Sequence, residues 1–313
     1  MARAFRTFLT AILILTPIGL AAQSAQSVPP SGESQKLFRS SVDLVSIQAS
    51  VRDKKGRPMK GLRPVDFEVR DNGQVRPILS LRADLRSPVS LAILVDMSGS
   101  MSIAAKIDMA RQAYDSILSQ LRTGDEVALF AFDSALHVRQ EFTSDLPKLR
   151  GALDNFEVFG STSLYDATAE TARTLAARSA THKAIIVLTD GIDTSSQMTA
   201  SEVSGLASSI DVPVYIVATV PSVDSRSMME AAGRSTPSEA ADLRDLAEWT
   251  GGQLVFASTF TETVVVASSL VGELRQQYVL AIEAADAPEW RRLDIRVKHP
   301  SAVVKARSGY FGG

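Results

Sequence analysis

The sequence has no cysteine and only three histidines in 313 residues. Without thiols there can be no disulfide, no thiolate-bound metal and no lipid-modified cysteine, so stability must come from a packed core and from any bound ion. His137, His182 and His299 are scattered over different segments, which leaves no imidazole cluster and no context for a catalytic triad. The Gly-x-Ser-x-Gly signature of a serine hydrolase is missing too. Neither sign of charge dominates: 33 Lys plus Arg against 35 Asp plus Glu leave a formal charge of −2. That balance gives no electrostatic footprint for nucleic acid or an anionic membrane surface, so neither is expected as a partner. What remains is an ordinary globular composition, 45% hydrophobic and 22% charged, in a chain long enough for two domains.

Long apolar runs are scarce as well. The one near the start, residues 8–20, follows Arg3 and Arg6 and is interrupted by Pro17 and Gly19. It covers about two-thirds of the roughly 20 residues needed to cross a bilayer. Small residues Ala21, Ala22, Ser24 and Ala25 come next, so residues 1–22 read as a secretory signal peptide. The expected location is periplasmic or extracellular, with no stable membrane insertion after cleavage. Residues 23–36, rich in Ser, Pro, Gln and Gly, read as a flexible leader, and the polar segment around Met228 and Met229 reads as a loop.

Residues 37–87 show strand signals: alternation over 42–51, a strand over 66–70, the turn Asp71-Asn72-Gly73, and a return over 75–81. From Pro88 the pattern changes. Val89-Ser90-Leu91-Ala92-Ile93-Leu94-Val95 is nearly continuous apolar sequence, as befits a parallel strand buried on both faces, and similar runs recur at 127–132, 184–188 and 212–217. Between and after them lie helical spacings, first Ile103, Ile107, Ala110, Ala113, Ile117, Leu118 and Leu121, then 164–177, 201–208, 240–249 and 261–277. The expected class is therefore α/β, a doubly wound, mostly parallel sheet with helices on both faces over residues 88–277. Residues 278–313 return to short strands, too few for a domain alone. They are expected to complete a small antiparallel β unit with residues 37–87, so that the α/β domain is an insertion in it.

The first buried strand ends in Asp96-Met97-Ser98-Gly99-Ser100, and the third ends in Leu188-Thr189-Asp190-Gly191. Open α/β sheets bind ligands at this carboxyl edge. Between the two, Gly160-Ser161-Thr162-Ser163 precedes a helix and supplies a loop hydroxyl. Two carboxylates and three hydroxyls suit a hard, oxygen-seeking cation: Mg²⁺ first, with Ca²⁺ or Mn²⁺ as alternatives. They leave the ion incompletely neutralised, and an open coordination position would attract a further carboxylate from a protein partner offering Asp or Glu.

In this constellation the chain resembles the von Willebrand factor A family, whose metal-ion-dependent adhesion site is written Asp-x-Ser-x-Ser, a distant Thr and a distant Asp. The matching positions are Asp96, Ser98, Ser100, Thr162 and Asp190. The resemblance spans about residues 88–275, including Gly124-Asp125-Glu126-Val127-Ala128-Leu129 and Leu246-Ala247-Glu248-Trp249-Thr250-Gly251-Gly252. It implies that Ser98, Ser100 and Thr162 contact the metal, that Asp96 and Asp190 support it, and that the domain binds rather than catalyses. The flanks Phe67-Glu68-Val69-Arg70-Asp71-Asn72-Gly73, Gln277-Tyr278-Val279-Leu280 and Gly309-Tyr310-Phe311 resemble the exported bacterial VWFA-related Acidobacterial group.

Two other functions compete with a binding or adhesion module. One is a structural or assembly subunit in which metal only stabilises the fold. The other is an aspartate-based phosphohydrolase with Asp96 as nucleophile, but that chemistry wants a carboxylate two residues on, where Ser98 stands. Asp166, one turn beyond Thr162, is a candidate for supporting a metal ligand by hydrogen bonding. Asp125, Asp133 and Asp193 read as solvated loop charges.

Overall fold

A computed structural model describes residues 44–312 apart from 104, 155–157, 159, 181, 192 and 221–238. The signal-peptide and leader readings, and the segment around Met228 and Met229, fall outside the described residues.

The central layer is a six-stranded sheet in the order β10-β9-β8-β5-β6-β7. Its members are β5 (Val89–Asp96), β6 (Glu126–Phe132), β7 (Leu136–Thr143), β8 (His182–Thr189), β9 (Val214–Thr219) and β10 (Gln253–Ala257). Neighbours pair in parallel except β7, which runs antiparallel on the edge beside β6. Every residue of β5 is buried, because helices cover both faces. Leu91, Ile93 and Val95 point to one face, where they pack with α1 (Lys106–Ser119), the short α2 (Leu146–Gly151) and α6 (Phe260–Leu274). Ala92 and Leu94 point to the other, against α3 (Leu164–Ala176), α4 (Ala200–Ser209) and α5 (Glu239–Trp249). Period-two alternation thus splits one apolar run between two cores.

The terminal segments form two four-stranded antiparallel sheets. One has the order β13-β1-β11-β4 and the other β14-β12-β2-β3. Here β1 is Leu44–Asp53, β2 Phe67–Asp71, β3 Gln74–Arg76, β4 Ser80–Asp84, β11 Gln277–Glu283, β12 Trp290–Val297, β13 Ala302–Ala306 and β14 Gly309–Phe311. Val45, Ile47, Ala49 and Val51 from β1 share a core with Val69, Tyr278, Leu280, Ile282, Leu293 and Tyr310. The alternation on β1 therefore starts from Val45, while Leu44 is exposed. Asn72 (φ 47°) and Gly73 (φ 81°) close the β2–β3 hairpin with the paired positive φ angles of a tight two-residue turn. The expected single return over 75–81 is two strands. Pro77, which has no N–H to donate, follows β3, and the chain passes to β4 in the other sheet.

β4 and β11 are paired neighbours, with Asp84 opposite Gln277. The chain leaves the sandwich on one strand and returns on the next, so the α/β layer grafts on without opening the sheet. Polar contacts fix the graft. Arg307 donates to the Ser208 carbonyl of α4 at 2.7 Å and to the Ser46 carbonyl of β1 at 2.6 Å, and Ser308 N donates to Trp249 O at 2.8 Å. Among the described residues no helix is long and apolar enough to cross a membrane.

Candidate metal centre

The chain runs from β5 through α1 to β6 on one side, but β8 lies on the other side of β5. The order therefore reverses between β5 and β8, and the crevice at a sheet's reversal is where open α/β folds bind ligands. Asp96 closes β5, and Asp190 directly follows β8.

Asp96 is fully buried. Its Oδ1 accepts from Ser98 N at 2.8 Å, and its Oδ2 accepts from the Thr189 hydroxyl at 2.5 Å. Burial pushes its pKa up to about 6, against the hydrogen bonds of Thr189 and Ser98 that pull it down, and the nearby Asp190 charge adds to the rise. After Asp96 the chain makes a short 3-10 turn, Gly99–Ser102, which brings the Ser98 and Ser100 hydroxyls within 3.0 Å of each other. Gly99 N donates to Gly160 O at 3.1 Å, tying this turn to the loop that carries Thr162. Gly160 has a φ of 95°, a left-handed conformation that glycine adopts without strain. Thr162 is buried, and its loop is clipped to the one after Asp190: Thr162 O accepts from Thr194 N at 2.9 Å and Ser195 N at 3.0 Å, and Thr162 N donates to Thr194 Oγ1 at 2.9 Å. The three loops bearing Asp96, Ser98, Ser100, Thr162 and Asp190 are thus linked at one edge of the sheet.

Asp190 is 4% exposed, and its Oδ1 is buried with no hydrogen-bond partner. A buried carboxylate oxygen without a donor costs free energy unless something cationic or protic meets it. With two serine hydroxyls facing each other and only oxygen donors in these loops, the donor set fits a hard divalent cation. Among the described residues there is no group of three or more His, Cys, Asp or Glu suited to a metal.

Two residues of the site escaped the sequence reading. Thr189 holds Asp96 and also accepts from Gly191 N at 3.0 Å; its only sequence signal is a hydroxyl at the end of an apolar strand. Lys106, the first residue of α1, donates from its ammonium to Asp190 Oδ2 at 2.8 Å and is the first basic residue after Arg86. Asp166 turns to the backbone of the loop after β8, accepting from Gln197 N and Met198 N, both at 2.9 Å. Asp193 accepts from Tyr165 N at 3.1 Å in the first turn of α3. Asp125 is no solvated charge: it is buried, takes an N–H from Val89 at 3.1 Å, and pairs with Arg275. The three histidines lie apart, His137 beside Asp133, His182 beside Asp84 and His299 against Ser301.

Residues 91–193, a span that contains all five of these positions, match the family model described as the von Willebrand factor type A domain. The chain carries a von Willebrand factor type A domain. Solved structures share the fold. A von Willebrand factor type A protein from Catenulispora acidiphila is 13% identical, with 87% of this chain and 74% of that one covered at a TM-score of 0.52. Proximal thread matrix protein 1 from the mussel byssus, with a zinc-occupied MIDAS motif, is 17% identical over 65% of this chain and 50% of that one, TM-score 0.51. A search of curated proteins gave no significant match. In this A-type domain β7 forms the antiparallel edge, and the chain enters the domain from β4 and leaves it to β11, neighbours in the sandwich.

Proposed function

We propose that the A-type domain is a metal-ion-dependent protein-binding module, in which Ser98, Ser100 and Thr162 contact one divalent cation while Asp96 and Asp190 support it. The partner would complete the ion's shell with an Asp or Glu carboxylate. The observation that carries this reading is the buried, unpartnered Oδ1 of Asp190, in a loop tied through the Thr162 loop to the turn where the Ser98 and Ser100 hydroxyls face each other. The zinc-occupied motif of the byssus protein supports a divalent ion as the cofactor class. Mg²⁺ is the ion best suited to an all-oxygen set that retains water and one outside ligand. Both Asp96 oxygens are engaged by Ser98 and Thr189, which favours a supporting role over attack on a phosphoryl group. Export to the periplasm or beyond rests on the N-terminal sequence and belongs to the same proposal.

The test is capture. The full chain, immobilised in Mg²⁺ buffer, should retain a protein from the exported fraction that chelator releases and that Thr162→Ala fails to retain. Retention indifferent to both chelator and Thr162→Ala would contradict the proposal.

A further inference from the structure

The site holds a positive charge of its own. Lys106 opens α1 directly after Ala105, whose φ of 60° is left-handed, and its ammonium reaches back over the metal loop. It lies 2.8 Å from Asp190 Oδ2 and 3.4 Å from the Ser100 carbonyl, and its side chain is only 13% exposed. Among the described residues it is the one Lys or Arg that pairs with Asp190, and none pairs with Asp96. The same carboxylate that would support a divalent ion is therefore already neutralised from within the chain.

We infer that Lys106 is a tethered cation that competes with the divalent ion for Asp190, setting the metal concentration at which the site fills. The inference rests on the metal-binding reading of these loops. Its physical basis is that an ammonium and a divalent ion on one nearly buried carboxylate repel each other strongly, because salt screens such a pair poorly. One of them must yield. Lysine is suited to yielding: its charge is compact, its stem has four flexible carbons, and the contact to the Ser100 carbonyl is long, so the ammonium can swing out without moving α1. It is equally suited to returning. A buried Asp190 left with no cation would destabilise the sheet edge, and Lys106 spares the domain that cost when metal is scarce. Filling the site then becomes an exchange of cations, not the ordering of a disordered loop.

The experiment titrates MgCl₂ calorimetrically into the full chain and melts it in Mg²⁺ and in EDTA, for wild type, Lys106→Met, Lys106→Gln and Lys106→Arg. Lys106→Met and Lys106→Gln should bind Mg²⁺ about tenfold tighter or more, as expected if the ammonium's net hold on Asp190 is worth roughly one decade. In EDTA both should melt below wild type, and Mg²⁺ should restore them. Lys106→Arg, which keeps the charge, should gain no affinity. Equal or weaker Mg²⁺ binding by the uncharged variants overturns the competition and leaves the metal site standing. No Mg²⁺ binding by any of the four proteins overturns both. If Lys106→Met does not fold even in Mg²⁺, Lys106→Gln, which retains a donor for Asp190, decides between the same outcomes.

Discussion

The Thr189 hydroxyl of β8 donates to Asp96 Oδ2 of β5 at 2.5 Å, joining the two strands between which the sheet order reverses. The aspartate that closes β5 is thus held by the neighbouring strand, and Thr189 O in turn accepts from Thr219 of β9 at 3.2 Å. Thr189→Val keeps the shape and removes the donor, leaving a buried carboxylate oxygen unpaired. The expected loss is about 1–3 kcal/mol in urea denaturation, with weaker Mg²⁺ binding. Unchanged stability would show that Asp96 finds another donor.

Arg275 follows α6, at the return to the sandwich, and pairs with Asp125 before β6; Asp125 also takes N–H donors from Val89 and Arg122. Both side chains are under a tenth exposed. Removing one partner strands a buried charge, so Asp125→Ala and Arg275→Met should each cost about 3–5 kcal/mol, and the double variant less than their sum. Additive losses would mean that the two groups do not act as a pair.

Two glycines should answer in opposite directions. A Cβ on Gly252 would lie 2.0 Å from the Val214 carbonyl oxygen, so Gly252→Ala must push the start of β10 away from β9. A large fall in melting temperature is expected. Gly272 sits inside α6 with nothing within 4 Å of its added Cβ, and Gly272→Ala should stabilise by about 0.5–1 kcal/mol through helix propensity. A stabilising Gly252→Ala would contradict the close approach of the two strands.

Much of this architecture is legible in the sequence for one reason: β5, β6, β8 and β9 are buried on both faces and so are written as nearly continuous apolar runs. The antiparallel pairing of the two terminal segments follows from their alternation. What is not legible depends on neighbours. β7 is an edge strand with mostly exposed or half-exposed residues, so it carries little hydrophobic pattern. The burial of Asp125 depends on Arg275, 150 residues away. In the site, Asp96, Ser98, Ser100 and Asp190 stand out because polar groups end apolar strands, whereas Lys106 looks like any basic residue at the start of an amphipathic helix until its ammonium is seen on Asp190.

Asp84, where β4 leaves the sandwich, governs an acid-sensitive contribution. Burial alone would raise its pKa, but hydrogen bonds from the Ser87 hydroxyl and N–H, the His182 charge and the Arg86 N–H bring it down to about 2 from an ordinary 3.8. A carboxyl with a depressed folded pKa contributes stability that is present above the unfolded value and lost as pH falls through the folded one. The stability gap between wild type and Asp84→Asn should therefore be open near about pH 5 and close as the pH falls toward about 2. A gap that widens on acidification would reverse the assignment.

The central claim is that the loops after β5 and β8 hold one divalent cation, and calorimetric titration of Mg²⁺ into the full chain and its Asp96→Ala variant tests it most directly. Wild type should bind one ion per chain while Asp96→Ala, still folded by its amide spectrum, should show no binding heat. Identical heats from the two folded proteins would contradict the site.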